Sequence, residues 1–286
     1  MKLCRFNESR IGVVRNDVIH DVTPVLQDLP ALRYPFPFGD QLMAHLDGLR
    51  PAMEALADRV PGIAVDRVRL FSPVANPSKI IGTPANYHAH VAETHRDPGN
   101  FFAGRDKTVR EQGLFLKATS SLVGTGEGVA VRFPDRRTDH EIELGVVIGR
   151  KTGFVPPENA LSVVAGYAIA LDMVMRGKED RSLRKSLESY AVLGPWMVTA
   201  DEIPDPESLA FTLHLNGELR QSANTRDMIV DLREQISWAS SLYTLYPGDI
   251  IMSGTCDGVG PVKAGDVMRL SFEAIGQAEV RVHAAG

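Results

Sequence analysis

Apolar positions fall in two different rhythms along this chain. Over residues 3–6, 11–14 and 18–22 they form brief runs that read as strands, with Asn16-Asp17 as a turn signal between the last two. Over residues 39–60, Leu42, Leu46, Leu49, Met53 and Leu56 recur every three or four positions, which predicts a helix with one apolar face. Pro51 falls inside that pattern and predicts a break or a second helix start. Beyond Val68 short apolar runs separated by Gly and Pro predict strands over residues 79–82, 128–133, 141–149, 163–171, 196–200, 209–215, 249–252 and 267–272. Helical periodicity returns only over 85–95, 157–162 and 228–242. The pattern therefore predicts an α+β, β-dominated protein, with a small N-terminal α+β domain over residues 1–75 and a larger domain over 76–286. Residues 96–112 are polar, contain Gly and show no period, so a mobile loop or lid is expected there.

Composition narrows the partners. Of 286 residues, 44% are hydrophobic and 23% charged, enough apolar material for a sizeable core. Lys plus Arg number 31 against 36 for Asp plus Glu, a net charge of −5, and no basic stripe is interleaved with aromatics, so nucleic acid is not an expected partner. No run approaches the roughly 18 apolar residues that span a bilayer, and no membrane partner is expected. Residues 1–8 lack the apolar core of a secretory signal, and Cys4 and Cys256 form no spacing motif, which together predict a reducing, cytoplasmic location.

The most informative chemistry lies in Glu141 and Glu143, which enter an apolar, β-branched run. On a strand, positions two apart share a face, so both carboxylates would project together and repel. Asp172 stands where the apolar run 163–171 ends and supplies a third acid. Spacing alone leaves two readings open: a hard divalent cation held through oxygen, or pairing with Arg and Lys at a sheet rim. The scarcity of cysteine argues against structural zinc. His90 and Glu93 would share a helix face, and a carboxylate beside an imidazole fixes its tautomer and raises its basicity. Lys117, Arg176 and Lys185 are cations suited to an anionic substrate, although any one of them by default is a solvated surface group. Residues 253–260 form a Gly-rich turn that could offer N–H groups and the Thr255 hydroxyl to a carboxylate. It matches neither a Walker nor a dinucleotide fingerprint, and Cys256 within it has no neighbouring base.

These motifs in this order resemble the fumarylacetoacetate hydrolase family. They are Asn86-Tyr87-x-x-His90-x-x-Glu93, Phe115-x-Lys117-x-x-Ser120-Ser121, Asp139-x-Glu141-x-Glu143-Leu144, Asp172-x-x-x-Arg176 and Lys185-Ser186, continuing through Leu193-Gly194-Pro195-Trp196, Pro247-Gly248-Asp249, Ser253-Gly254-Thr255 and Gly258-Val259-Gly260. The resemblance implies a mixed β-roll catalytic domain after a small N-terminal domain, and a homodimer. It implies Mg2+ or Mn2+, with Ca2+ as a substitute, on the positions matching Glu141, Glu143 and Asp172. His90 and Glu93 match a water-activating pair, Lys117 a catalytic lysine, and Arg176, Lys185 and Thr255 substrate-lining positions. Three departures stand out: Leu171 where Asn is common, Glu179 where Gln is common, and Cys256 where Pro is frequent. Glu179, if it reaches the site, would reject a doubly anionic substrate or act as an acid.

The expected activity is divalent-metal-dependent hydrolysis of a C–C bond in an acylpyruvate or similar β-diketo acid, a small-molecule keto-acid substrate. The same site would also serve an oxaloacetate-type decarboxylase or a 2-hydroxyhepta-2,4-diene-1,7-dioate-type isomerase, because fold resemblance alone does not fix a reaction. A non-catalytic ligand-binding member is disfavoured, since a pure binder needs no water-activating pair.

Overall fold

The computed structural model describes residues 1–96 and 107–286. Among these, a 12-stranded sheet forms the frame, and its central members carry the acids. From one edge to the other, its path runs Gly62–Ala64, Val18–Asp21, Arg10–Arg15, Lys2–Phe6, Ala191–Thr199, Val164–Asp172, Ile142–Ile148, Ile250–Met252, Ile80–Gly82 and Phe115–Lys117. The first strand pairs antiparallel with Ala191–Thr199, so the N-terminal strands extend the same sheet that carries the site. A five-stranded sheet of Glu218–Asn224, Ala210–Leu215, Val267–Phe272, Gly276–Ala284 and Val129–Val131 packs beside it, and Val174–Met175, Thr138–His140 and Gly260–Val262 form a third, small sheet. This sheet-rich α+β architecture bears out the expected fold class.

Every residue of Ile142–Ile148 and of Ala191–Thr199 is buried, which explains why these strands read as continuous apolar runs. Alternation then divides the core. Ile142, Leu144, Val146 and Ile148 enter one hydrophobic cluster, while Val147 joins Ala168, Ala170, Leu193, Met43 and Met53 in a second. Glu143 has the parity of Val147, so its carboxylate lies at one end of that second face.

The predicted 39–60 helix forms as two pieces, Gln41–Ala44 and Leu46–Ala57. The break falls at His45, and Pro51 stays inside the second piece. Pro51 and Asp47, whose carbonyl would have met the missing N–H, are both exposed, so water can satisfy that carbonyl. The helix expected over 228–242 begins at Leu232 instead, because the Asp231 carboxylate caps it by accepting from Glu234 N. Residues 97–106 of the expected lid lie outside the described residues. Its far end, Val109–Gln112, is a helical turn opened by a capping box between Thr108 and Glu111 and tied to the body by Arg110–Glu234 at 2.5 Å.

Candidate active site

Antiparallel register assembles the acids. Ile142 pairs with Leu171 and Glu143 with Ala170, so the next position outward sets Glu141 opposite Asp172. Asp172 N donates to Glu141 O at 2.9 Å, which fixes that juxtaposition. Glu141 itself is not inside a strand: it sits in the gap between Thr138–His140 and Ile142–Ile148, where the chain passes from the small sheet to the large one. The three carboxylates are buried, and one ligand oxygen from each lies within 4.8 Å of the others.

Two lysines are folded into this cluster. Lys117 Nζ donates to Asp172 Oδ1 and, at 2.9 Å, to Tyr190 O. Lys185 Nζ bridges Glu141 Oε2, at 2.5 Å, and Asp172 Oδ2. Burial opposes charge on Asp172, yet the Lys117 and Lys185 ammoniums outweigh it and hold its pKa below the ordinary carboxylate range. Burial likewise opposes the Lys185 ammonium, but Asp172 and Glu141 win and keep it charged. Lys117, with no exposed side-chain surface, is the opposite case: burial, aided by the Lys185 charge, lowers its pKa.

Glu143 is the acid left over. Its Oε2 accepts only from Gly254 N, at 2.8 Å, among the described residues, and burial followed by the Asp172 charge pushes its pKa well up. Three carboxylates thus face two ammoniums, with one cation already standing between two of the acids and the third acid short of positive charge. That donor set fits a hard divalent cation: three convergent carboxylates offering oxygen ligands, one of them without an ion-pair partner among the described residues.

His90 Nδ1 lies 3.3 Å from Glu93 Oε2 on the helix His88–Arg96. The other Glu93 oxygen accepts from Gly258 N at 2.9 Å, so the Gly-rich turn anchors the pair. Gly254 and Gly258 have φ of +95° and +89°, and a Cβ on Gly258 would come within 1.8 Å of Arg220 O. The turn's N–H groups do meet carboxylates, but those of Glu143 and Glu93 in the protein itself. Thr255 Oγ1 is buried, donating to Ile142 O at 2.7 Å and accepting from Gln221 Nε2 at 2.8 Å, so it braces the acid-bearing strand from behind. Cys256 is also buried, and burial raises its thiol to about 12, which removes it as a nucleophile.

A cavity opens beside the acids, walled by His90, Glu141, Arg176 and Lys185. Arg176 Nε donates to Asp139 Oδ2 at 2.7 Å, and its Nη2 lies 3.6 Å from Glu141 Oε1. Lys117 and Thr255 do not line the cavity, nor do Glu93, Glu143 and Asp172. Glu179 is not part of the cavity wall either: both its oxygens accept from Arg136 at 2.8 Å, and that ion pair pulls its pKa down to about 2. Its charge is spent on Arg136, so it neither repels an anion in the cavity nor stands ready as an acid. Arg181, Arg184 and Gln112, which also line the cavity, are not singled out by the sequence pattern. The available signal was the spacing Arg181, Arg184, Lys185, one face of a helix, hidden by the acids mixed into the same stretch.

The family model for the fumarylacetoacetate hydrolase C-terminal region matches residues 79–283. The chain belongs to the fumarylacetoacetate hydrolase family. A maleylpyruvate hydrolase from Aquipseudomonas alcaligenes is 51% identical over 284 residues, covering 99% of each chain. A mitochondrial oxaloacetate tautomerase from Rattus norvegicus is 34% identical over 241 residues, 80% of this chain and 74% of that one. Among solved structures, the maleylpyruvate hydrolase of Sphingobium sp. SYK-6 in complex with manganese(II) and pyruvate superposes with a TM-score of 0.84 at 39% identity, covering 100% of both chains. The expectation of a metal-dependent hydrolase of this family is borne out.

Proposed function

We propose that this protein is a divalent-metal-dependent acylpyruvate hydrolase whose substrate is maleylpyruvate, which it splits with water into maleate and pyruvate. The single observation that carries the reading is the cavity in which His90, Lys185 and the Glu141 carboxylate of the acid trio share one wall. The 51% identical maleylpyruvate hydrolase supports the choice of acyl group.

Glu141, Glu143 and Asp172 would hold Mg2+ or Mn2+, which when bound supplies Lewis acidity to the keto acid. Glu93 fixes His90 through Nδ1, leaving Nε2 to take a proton from water that attacks the acyl carbonyl. Apo hydrogen bonds of this kind are often long, as the 3.3 Å separation is, and shorten around substrate. The bond between the acyl carbon and the pyruvate methylene then breaks, its electrons passing to pyruvate enolate, while the acyl carbon leaves as the carboxylate of maleate. Lys185, kept charged by Asp172 and Glu141, and Arg176 face the space where that enolate charge develops. Lys117 orients Asp172 from behind. A homodimer and a cytoplasmic location belong to the same proposal. No helix among the described residues is long and apolar enough to cross a membrane.

The test is incubation with maleylpyruvate and Mn2+ or Mg2+, with products identified by mass spectrometry. Equal amounts of pyruvate and maleate, suppressed by excess chelator, are expected. Interconversion of enol and keto oxaloacetate without any cleavage product from maleylpyruvate would overturn the reading in favour of a tautomerase.

A further inference from the structure

We propose that Arg184, with Arg181 beside it, forms a receptor for the second carboxylate of a dicarboxylic acylpyruvate and makes the enzyme select diacids over acylpyruvates with uncharged tails. This rests on the acylpyruvate-hydrolase reading and specifies the substrate class of that site.

The cations of the cavity wall divide by what already satisfies them. Arg176 is held by Asp139 and Glu141, and Lys185 by Glu141 and Asp172. Arg184 is different. It is 5% exposed, its Nε donates to Glu179 O at 2.8 Å, and no carboxylate among the described residues lies within ion-pair distance of it. Burial, with the Arg176 charge adding to it, lowers its pKa. A guanidinium anchored along one edge, buried, and forming part of a cavity wall is costly to hold charged until an anion arrives, and its planar fork suits a carboxylate.

The local fold explains the spacing. Arg181, Arg184 and Lys185 share one face of the short helix Arg181–Lys185. Lys185 reaches the acid cluster, Arg184 beside it is turned about 100° round the axis, and Arg181 lies one turn back, about 6 Å along the axis; both arginines line the cavity. Arg181 lies over the Phe115 ring, 5.2 Å from its centroid, and donates to Gln112 Oε1, so the outer end of the cavity is a fixed cationic rim. A ligand whose keto-acid end lies at the acids would therefore meet a second positive pole, apart from the cations that Glu141 and Asp172 hold, suited to the second carboxylate of maleylpyruvate, whereas acetylpyruvate ends in a methyl group on the acyl carbon and brings no anion to it. Glu179 contributes by its backbone: its carbonyl holds Arg184 while Arg136 neutralises its carboxylate.

The experiment compares R184Q and R184K with the wild-type protein loaded with Mn2+. The ratio of kcat/KM for maleylpyruvate over acetylpyruvate should fall about 10- to 100-fold in R184Q, carried by KM, with partial recovery in R184K. A ratio unchanged in R184Q, with both substrates losing equally, would make Arg184 merely structural and overturn the proposal. Calorimetry with 2-oxoadipate and 2-oxohexanoate, keto acids of equal length with two carboxylates and one, reads binding without turnover. A preference for 2-oxoadipate that R184Q abolishes supports the receptor, and equal binding of the two by the wild-type protein overturns it. If neither acylpyruvate is cleaved, the function reading fails while the calorimetric pair still decides the subsite.

Discussion

Lys185 Nζ sits between Glu141 and Asp172, residues that stand opposite each other across two antiparallel strands. This one ammonium occupies the bridging position between two acids that a divalent cation would contest. Glu143, on the same sheet face, has no such counter-charge and receives only the Gly254 N–H among the described residues.

The Glu143 carboxylate should therefore oppose folding in the metal-free protein and support it when metal is bound. Its folded pKa is raised above the unfolded value, so the folded state holds the proton more tightly and stability falls as pH rises through this window. Replacement by Gln removes that effect, and Glu143→Gln is expected to raise the metal-free Tm, by about 2–4 °C for each kcal/mol relieved. The same variant should lose the Mn2+-dependent rise in Tm, which one-site binding at one hundred times Kd would drive in the wild-type protein with about 2.7 kcal/mol of stabilisation. Differential scanning calorimetry with and without Mn2+ checks both parts; a metal-free Tm lower than wild type would count against the assignment.

Lys117 should matter to stability as much as to catalysis. Lys117→Met leaves Asp172 with one cation instead of two in a buried site, and stripping one partner from a buried pair costs about 3–5 kcal/mol. Urea denaturation at neutral pH measures this. A loss below about 1 kcal/mol would mean that Lys185 alone suffices.

The His90–Glu93 pair gives a graded pair of kinetic effects. His90→Ala should lower kcat by about 10²–10⁴, the usual value of a positioned general base. Glu93→Ala removes the carboxylate that orients the imidazole but leaves the ring free to present an unprotonated Nε2, so a smaller loss, of order tenfold, is expected. Steady-state kinetics on maleylpyruvate test the order. Equal, large losses in both would assign Glu93 a direct role in proton transfer.

Both thiols should be silent in the native protein. Burial raises Cys4 and Cys256 to about 12, whereas the ordinary value is 9.0. Iodoacetamide at pH 8.5 should alkylate neither before unfolding and both afterwards, as read by intact mass. Above pH 9 the unfolded chain loses thiol protons that the folded chain retains, so these two groups make stability fall with rising pH. Rapid native modification of Cys256 coupled to inactivation would reopen its place in the chemistry.

Much of the site was visible in the primary structure because its chemistry is local. The two-residue step from Glu141, just before the strand, to Glu143 within it, the place of Asp172 at a strand end, and the helical spacing of His90 and Glu93 all show in the order of residues. What the amino-acid order leaves open is which strand lies opposite which, and where a side chain from a distant segment comes to rest. Register set Glu141 across from Asp172, and the short helix Arg181–Lys185 then delivered Lys185 between them and Arg184 to the wall. Arg136 drew Glu179 away from the cavity, and Gln221 with Ile142 O took up the Thr255 hydroxyl. Those outcomes depend on long-range pairing of buried charges and hydrogen bonds, whose partners are chosen by packing in three dimensions rather than by spacing along the chain.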